Sequence, residues 1–152
     1  MITTSAGYPL DLTFYQSVKG IIAAAHIVRP GGKILLAGAC EEGPGAPEFR
    51  DMLKAFPSRQ EFLDHIEKAP VVIDQWQLEK LALAIGKAEA LYFVPGLPAE
   101  YHPTLWGTAY PSAPAAVEAL TGSLAPGSTI AVIREGPYVL AKCGGAPQAG
   151  AG

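Results

Sequence analysis

The 152-residue chain has a formal net charge of −3, with 49% hydrophobic and 16% charged residues. That length is most simply one domain, and it can bury a core without disulfides or metals. The charge balance gives no footing for nucleic acid, no basic run suits a membrane surface, and the apolar stretch Ile21–Val28 is too short to span a bilayer.

Ile2–Ser5 reads as a short strand of β-branched and small residues. Because it begins with almost no lead-in, the chain is expected to be cut or split from a larger protein. A helix follows, capped by Asp11 or Thr13 and running to about Val28. Phe14, Val18, Ile21, Ala25 and Val28 keep the helical period, and Tyr15 and Ile22 widen the stripe. Arg29-Pro30-Gly31-Gly32 stops it. Lys33–Ala39 is a continuous apolar run, typical of a strand covered on both faces. Strand, helix and strand at this spacing make a βαβ unit, whose crossover is expected to be right-handed.

Glu41–Pro47 is a Gly/Pro loop, and Glu48–Phe56 is a helix. Ser58-Arg59-Gln60-Glu61 is a capping box that opens another, ending before Pro70. Asp74 is positioned to cap a helix from Gln75 to about Lys87, with Leu78, Leu81, Ala82 and Ile85 inward. Ala90–Val94 is a buried strand, and Pro95–Pro111 a long loop. A helix at Ala113–Leu124, with Ser112 as its candidate cap, precedes a strand at Thr129–Arg134. Tyr138–Ala141 is expected to be extended, and 144–152 to be a disordered tail beyond a domain at 1–143. The sum is α/β, a mostly parallel sheet of about four strands flanked by helices.

Several familiar signals are absent: no GxGxxG between strand and helix, no Walker lysine, no GxSxG. His26, His65 and His102 lack metal-ligand spacing, so no metal site is expected, and no nucleophile–base–orienter set is visible. Cys40 and Cys143 lie far apart, and no signal peptide is visible, so a cytoplasmic protein with free thiols is expected.

Gln16 and Lys19, spaced i,i+3, share a helix face. They offer an amide N–H donor and a fixed positive charge, which suits a small carboxylate, or they are simply a solvated flank. Tyr15 stands beside them. The group Asp74-Gln75-Trp76-Gln77 has two readings: an indole packed into the core, or the indole wall of a site. Cys40-Glu41-Glu42 either lines the carboxyl edge of the sheet, where ligands of such folds collect, or is a buried thiol and two solvated acids.

The run Thr3-Thr4-Ser5-Ala6-Gly7-Tyr8-Pro9-Leu10-Asp11, followed by Tyr15-Gln16-Ser17-Val18-Lys19-Gly20, resembles the C-terminal domain of the nickel-dependent lactate racemase family. Ala39-Cys40-Glu41-Glu42-Gly43-Pro44-Gly45, Asp74-Gln75-Trp76-Gln77 and Val132-Ile133-Arg134-Glu135-Gly136-Pro137 follow the same order. The resemblance implies one domain of a two-domain racemase or epimerase of small 2-hydroxy acids. Its partner, the N-terminal domain, would carry a nickel-pincer nucleotide and the proton-moving histidines. The implied reaction is racemisation by hydride transfer. The glutamine and lysine of the YQxxK pattern would hold the substrate carboxylate; they map to Gln16 and Lys19, with Tyr15 and Trp76 as substrate-binding neighbours. The isolated chain is then expected to be inactive. The rival readings are a stand-alone α/β binding module and a small independent enzyme using Cys40 or a histidine.

Overall fold

The computed structural model describes residues 1–142. The expected tail at 144–152, and Cys143, lie outside the described residues. The elements in chain order are β1 (Ile2–Thr4), α1 (Phe14–Ala25), β2 (Gly32–Ala37), α2 (Pro47–Ala55), α3 (Arg59–Ile66), α4 (Gln75–Lys87), β3 (Ala88–Phe93), β4 (Thr108–Ala109), α5 (Ala113–Gly122) and β5 (Val132–Ile133). All neighbouring strands pair in parallel, in the order β4-β3-β2-β1-β5.

The register explains the two faces. Ile2 pairs with Leu35, and Leu35 with Leu91. Because side chains alternate along a strand, this row points to one face. There Leu35 and Leu91 pack with Ala116 and Leu120 of α5. The adjacent row, Leu36 and Tyr92, faces the other way and packs with Phe14, Val18, Phe49, Leu53, Phe62 and Leu78 from the first four helices. The larger core therefore lies under α1 to α4.

The sheet has five strands rather than four. The additional one, β4, has two residues inside the segment expected to be loop, which also holds a 3-10 helix at Ala99–Thr104. So short a strand leaves no alternation to detect; it is held by its pairing to β3, with Tyr110 donating to the Tyr92 carbonyl at 2.8 Å. The last strand is shorter than Thr129–Arg134, because only Val132 and Ile133 pair with β1. Single bonds flank it: Ile2 donates to the Ala131 carbonyl at 2.9 Å, and the Thr4 hydroxyl donates to the Arg134 carbonyl.

Tyr138–Ala141 is not a strand. Gly136–Tyr138 is a 3-10 turn packed against α1. A Cβ on Gly136 would collide with the Thr4 carbonyl and lie 2.9 Å from Gly20 Cα. Only glycine lets this turn lie so close to β1 and α1, and that seating places residues 137–140 beside the helix flank.

Candidate functional site

The helices α1 and α4 lead directly into β2 and β3, which are parallel, so the two helices run in the same direction. Two hydrogen bonds fix their register. Gln77 Nε2 donates to the Tyr15 carbonyl at 2.9 Å near the helix starts, and Lys87 Nζ donates to the Ala25 carbonyl at 2.8 Å near their ends. Both bonds join residues 62 apart, so the helices stay level along their length.

Thr13, not Asp11, caps α1, its hydroxyl accepting from the Gln16 N–H at 3.3 Å. The Asp11 backbone has another role: its carbonyl accepts from the Cys40 N–H at 2.6 Å, joining the loops after β1 and β2. The second loop continues against α1, with Tyr15 N donating to the Pro44 carbonyl at 3.0 Å. Gly45 is in the left-handed region (φ 112°), and a Cβ there would lie 2.6 Å from Tyr15 Cβ. The loop thus seats Tyr15.

The Tyr15 ring meets Phe49 edge-on at 5.1 Å and Trp76 edge-on at 6.4 Å. Its phenol donates to Asp74 Oδ1 at 3.0 Å. Burial, and then the Asp74 carboxylate, push the phenol pKa up. Asp74 therefore does not cap α4 as expected: its backbone is left-handed (φ 63°), and its side chain makes no cap bond. The carboxylate is turned to Tyr15 instead.

Lys19 Nζ donates to Gln16 Oε1 at 2.5 Å, so the i,i+3 pair does form on α1. With its oxygen engaged, the Gln16 amide keeps its NH₂ as a donor. Lys19 and Gln16 are both half-buried. Lys19 lines a groove of about 460 Å³ between α1 and α4. Trp76 lines it too; the indole is 52% exposed and is not a core residue. Ala23 and His26 continue the α1 side, Lys80 the α4 side, and Pro137–Leu140 form the third wall. Tyr15, Gln16, Lys19 and Trp76 are thus brought to one place.

Lys80 and Tyr138 lie in the same groove and were not singled out by sequence reasoning. The signal for Lys80 was present in its i,i+4 spacing from Trp76. Gln77 is fully buried, and its Oε1 has no partner among the described residues.

Cys40 behaves as a buried thiol. It is wholly inaccessible, has Ser17 Oγ 3.5 Å from its sulfur, and has its pKa pushed up to about 11, chiefly by burial. Glu41 and Glu42 are exposed. A low thiolate fraction makes Cys40 a poor nucleophile. The histidines are dispersed: His26 edges the groove, His65 packs on Phe56 at 4.9 Å, and His102 sits by the Leu97 carbonyl at 3.2 Å. Among the described residues, no group of three or more His, Cys, Asp or Glu is arranged to hold a metal ion, and no helix is long and apolar enough to cross a membrane.

The family model described as the lactate racemase C-terminal domain matches residues 1–140. The lactate racemase of Thermoanaerobacterium thermosaccharolyticum is 35% identical over 85 residues, covering 54% of this chain and 20% of that protein. The lactate racemase of Lactiplantibacillus plantarum is 36% identical over 84 residues, covering 53% of this chain and 20% of that protein. The lactate racemase apoprotein structure from T. thermosaccharolyticum superposes with a TM-score of 0.80 at 26% identity, covering 91% of this chain and 34% of that one. The matched regions span about a fifth of the curated relatives' length.

Proposed function

The chain belongs to the lactate racemase C-terminal domain family, and on that premise we propose that it is the substrate-gripping half of a 2-hydroxy-acid racemase or epimerase. The rest of the site lies on a preceding domain of the same cytoplasmic protein. The free, buried Cys40 thiol accords with a reducing compartment.

The observation that carries this reading is the Lys19–Gln16 bond at the edge of the groove. It spends the amide oxygen on the ammonium and leaves the Gln16 NH₂ and the remaining ammonium protons available as donors. A carboxylate accepts from both at once. Trp76, held edge-on by Tyr15, lines the same groove as Lys19. A grip confined to the carboxylate leaves both faces of the 2-carbon open, as inversion there requires. The role is positional.

The nickel-pincer nucleotide that the resemblance implies would supply hydride chemistry when bound. The described residues of this chain do not fit it, since they offer no cluster of metal-ligating side chains. In this proposal it belongs to the preceding domain, with the proton-moving histidines.

The energetics favour divided labour. A charge-assisted hydrogen bond is worth roughly 1.5–3 kcal/mol net. Millimolar affinity already needs about 4 kcal/mol. Two such bonds in an open groove hold a small hydroxy acid weakly, so closure against a second domain completes the site.

The test is a chiral assay of the full-length, cofactor-loaded protein with single enantiomers of lactate and of longer 2-hydroxy acids. Interconversion of at least one pair is expected. Failure to interconvert any of them, in protein shown to carry nickel, would overturn the reading.

A further inference from the structure

Lys80 is exposed and makes no hydrogen bond or ion pair with any described residue. It lines the same groove as Lys19, and among the described residues no carboxylate lines that groove. Two cations therefore face a space with no balancing acid among the described residues.

Their separation follows from the helix register. Tyr15 and Trp76 are in ring contact, and each is the second residue of its helix. Lys19 and Lys80 each lie four residues further on, about one turn, or roughly 6 Å along parallel axes. Packed helices have axes about 8–10 Å apart. The two lysines thus stand at the same level on either side of the groove, with Trp76 one turn above Lys80 on its own face. Each flexible stem can bring its ammonium inward. Lys19 is steered by Gln16, whereas Lys80 is free to meet a second group.

From this pairing we infer that Lys80 is a specificity residue: the groove takes 2-hydroxy acids with a second, distal carboxylate, Lys19 and Gln16 holding the carboxylate next to the reacting carbon and Lys80 the other. This rests on the racemase reading and deepens it. Binding a dianion also relieves the repulsion between the two ammonium groups, which a monocarboxylate does only in part. A three-carbon monocarboxylate would leave Lys80 unengaged.

The test compares kcat/KM for malate and for lactate in the full-length, cofactor-loaded protein, with Lys80→Gln and Lys80→Arg variants. The expected wild-type ratio favours malate by about tenfold or more, the size of one charge-assisted contact. Lys80→Gln is expected to collapse that ratio through a raised KM for malate, and Lys80→Arg to retain most of it. Lys19→Ala should depress both substrates.

A ratio that Lys80→Gln leaves unmoved overturns this inference while the racemase reading stands. So does an equal loss on both substrates, which would mark Lys80 as a contact to the preceding domain. Turnover of neither malate, lactate nor any other 2-hydroxy acid overturns both.

Discussion

The Tyr15 phenol donates to Asp74 Oδ1 at 3.0 Å, tying the second residue of α1 to the residue that opens α4. The same ring holds Trp76 edge-on. Removing the hydroxyl in Tyr15→Phe keeps the ring contacts but leaves the half-buried Asp74 carboxylate unpaired. A loss of about 0.5–1.5 kcal/mol is expected. Urea unfolding measures it, and Trp76 fluorescence, read in a Trp106→Phe background, should shift as the α4 start loosens. An unchanged midpoint with unchanged emission would contradict the tie.

Cys40 supplies a pH prediction. Its folded pKa is about 11, against 9.0 for an unburied thiol. The folded state holds this proton more tightly than the unfolded state. The resulting stability is fully present below pH 9 and is lost as pH rises toward 11. The Tyr15 phenol, also raised, adds to the loss in the same direction. The melting temperature should therefore fall across this window, and less steeply in Cys40→Ala. In a Cys143→Ser background, a thiol reagent at pH 8 should modify the folded chain far more slowly than the unfolded chain. Equal rates would place the thiol outside the core.

Two glycines should respond oppositely to alanine. Gly136→Ala drives a Cβ into the backbone of Thr4 and against Gly20 Cα, neither of which can rotate away. Overpacking of this kind costs about 1–3 kcal/mol. Gly122 ends α5 with nothing within 4 Å of a built Cβ, so Gly122→Ala should be neutral or slightly stabilising. Denaturant midpoints of the two variants decide it; comparable losses would mean that the 3-10 turn is not seated as described.

The isolated 152-residue chain should neither racemise lactate nor bind it measurably, because the clamp offers only about the free energy of millimolar binding, before any ordering cost. Chiral chromatography after long incubation, and amide NMR titration with millimolar lactate, check this. Chiral conversion by the purified chain would contradict the division between two domains.

Much of this fold was legible because its strands and helices carry strong periodic signals. Phe14, Val18 and Ile21 all reach the core, and Ser58 and Ser112 both cap as expected. The misses have physical causes. Two-residue strands such as β4 have no alternation to read. Asp74 has the composition of a helix cap, but a competing phenol took its carboxylate. The Gln16–Lys19 pair was legible from spacing on one helix. Lys80 carried only its i,i+4 spacing from Trp76; its position opposite Lys19 depends on bonds between residues 62 apart and was not readable.

The central claim is that Lys19 grips the substrate carboxylate, and the most direct test is Lys19→Ala in the full-length, cofactor-loaded protein. Removing one charge-assisted contact of about 1.5–3 kcal/mol should lower kcat/KM roughly ten- to a hundredfold. Circular dichroism and nickel content should be unchanged. Near-normal kinetics in a folded, loaded variant would return Lys19 to a solvated helix flank and contradict the account.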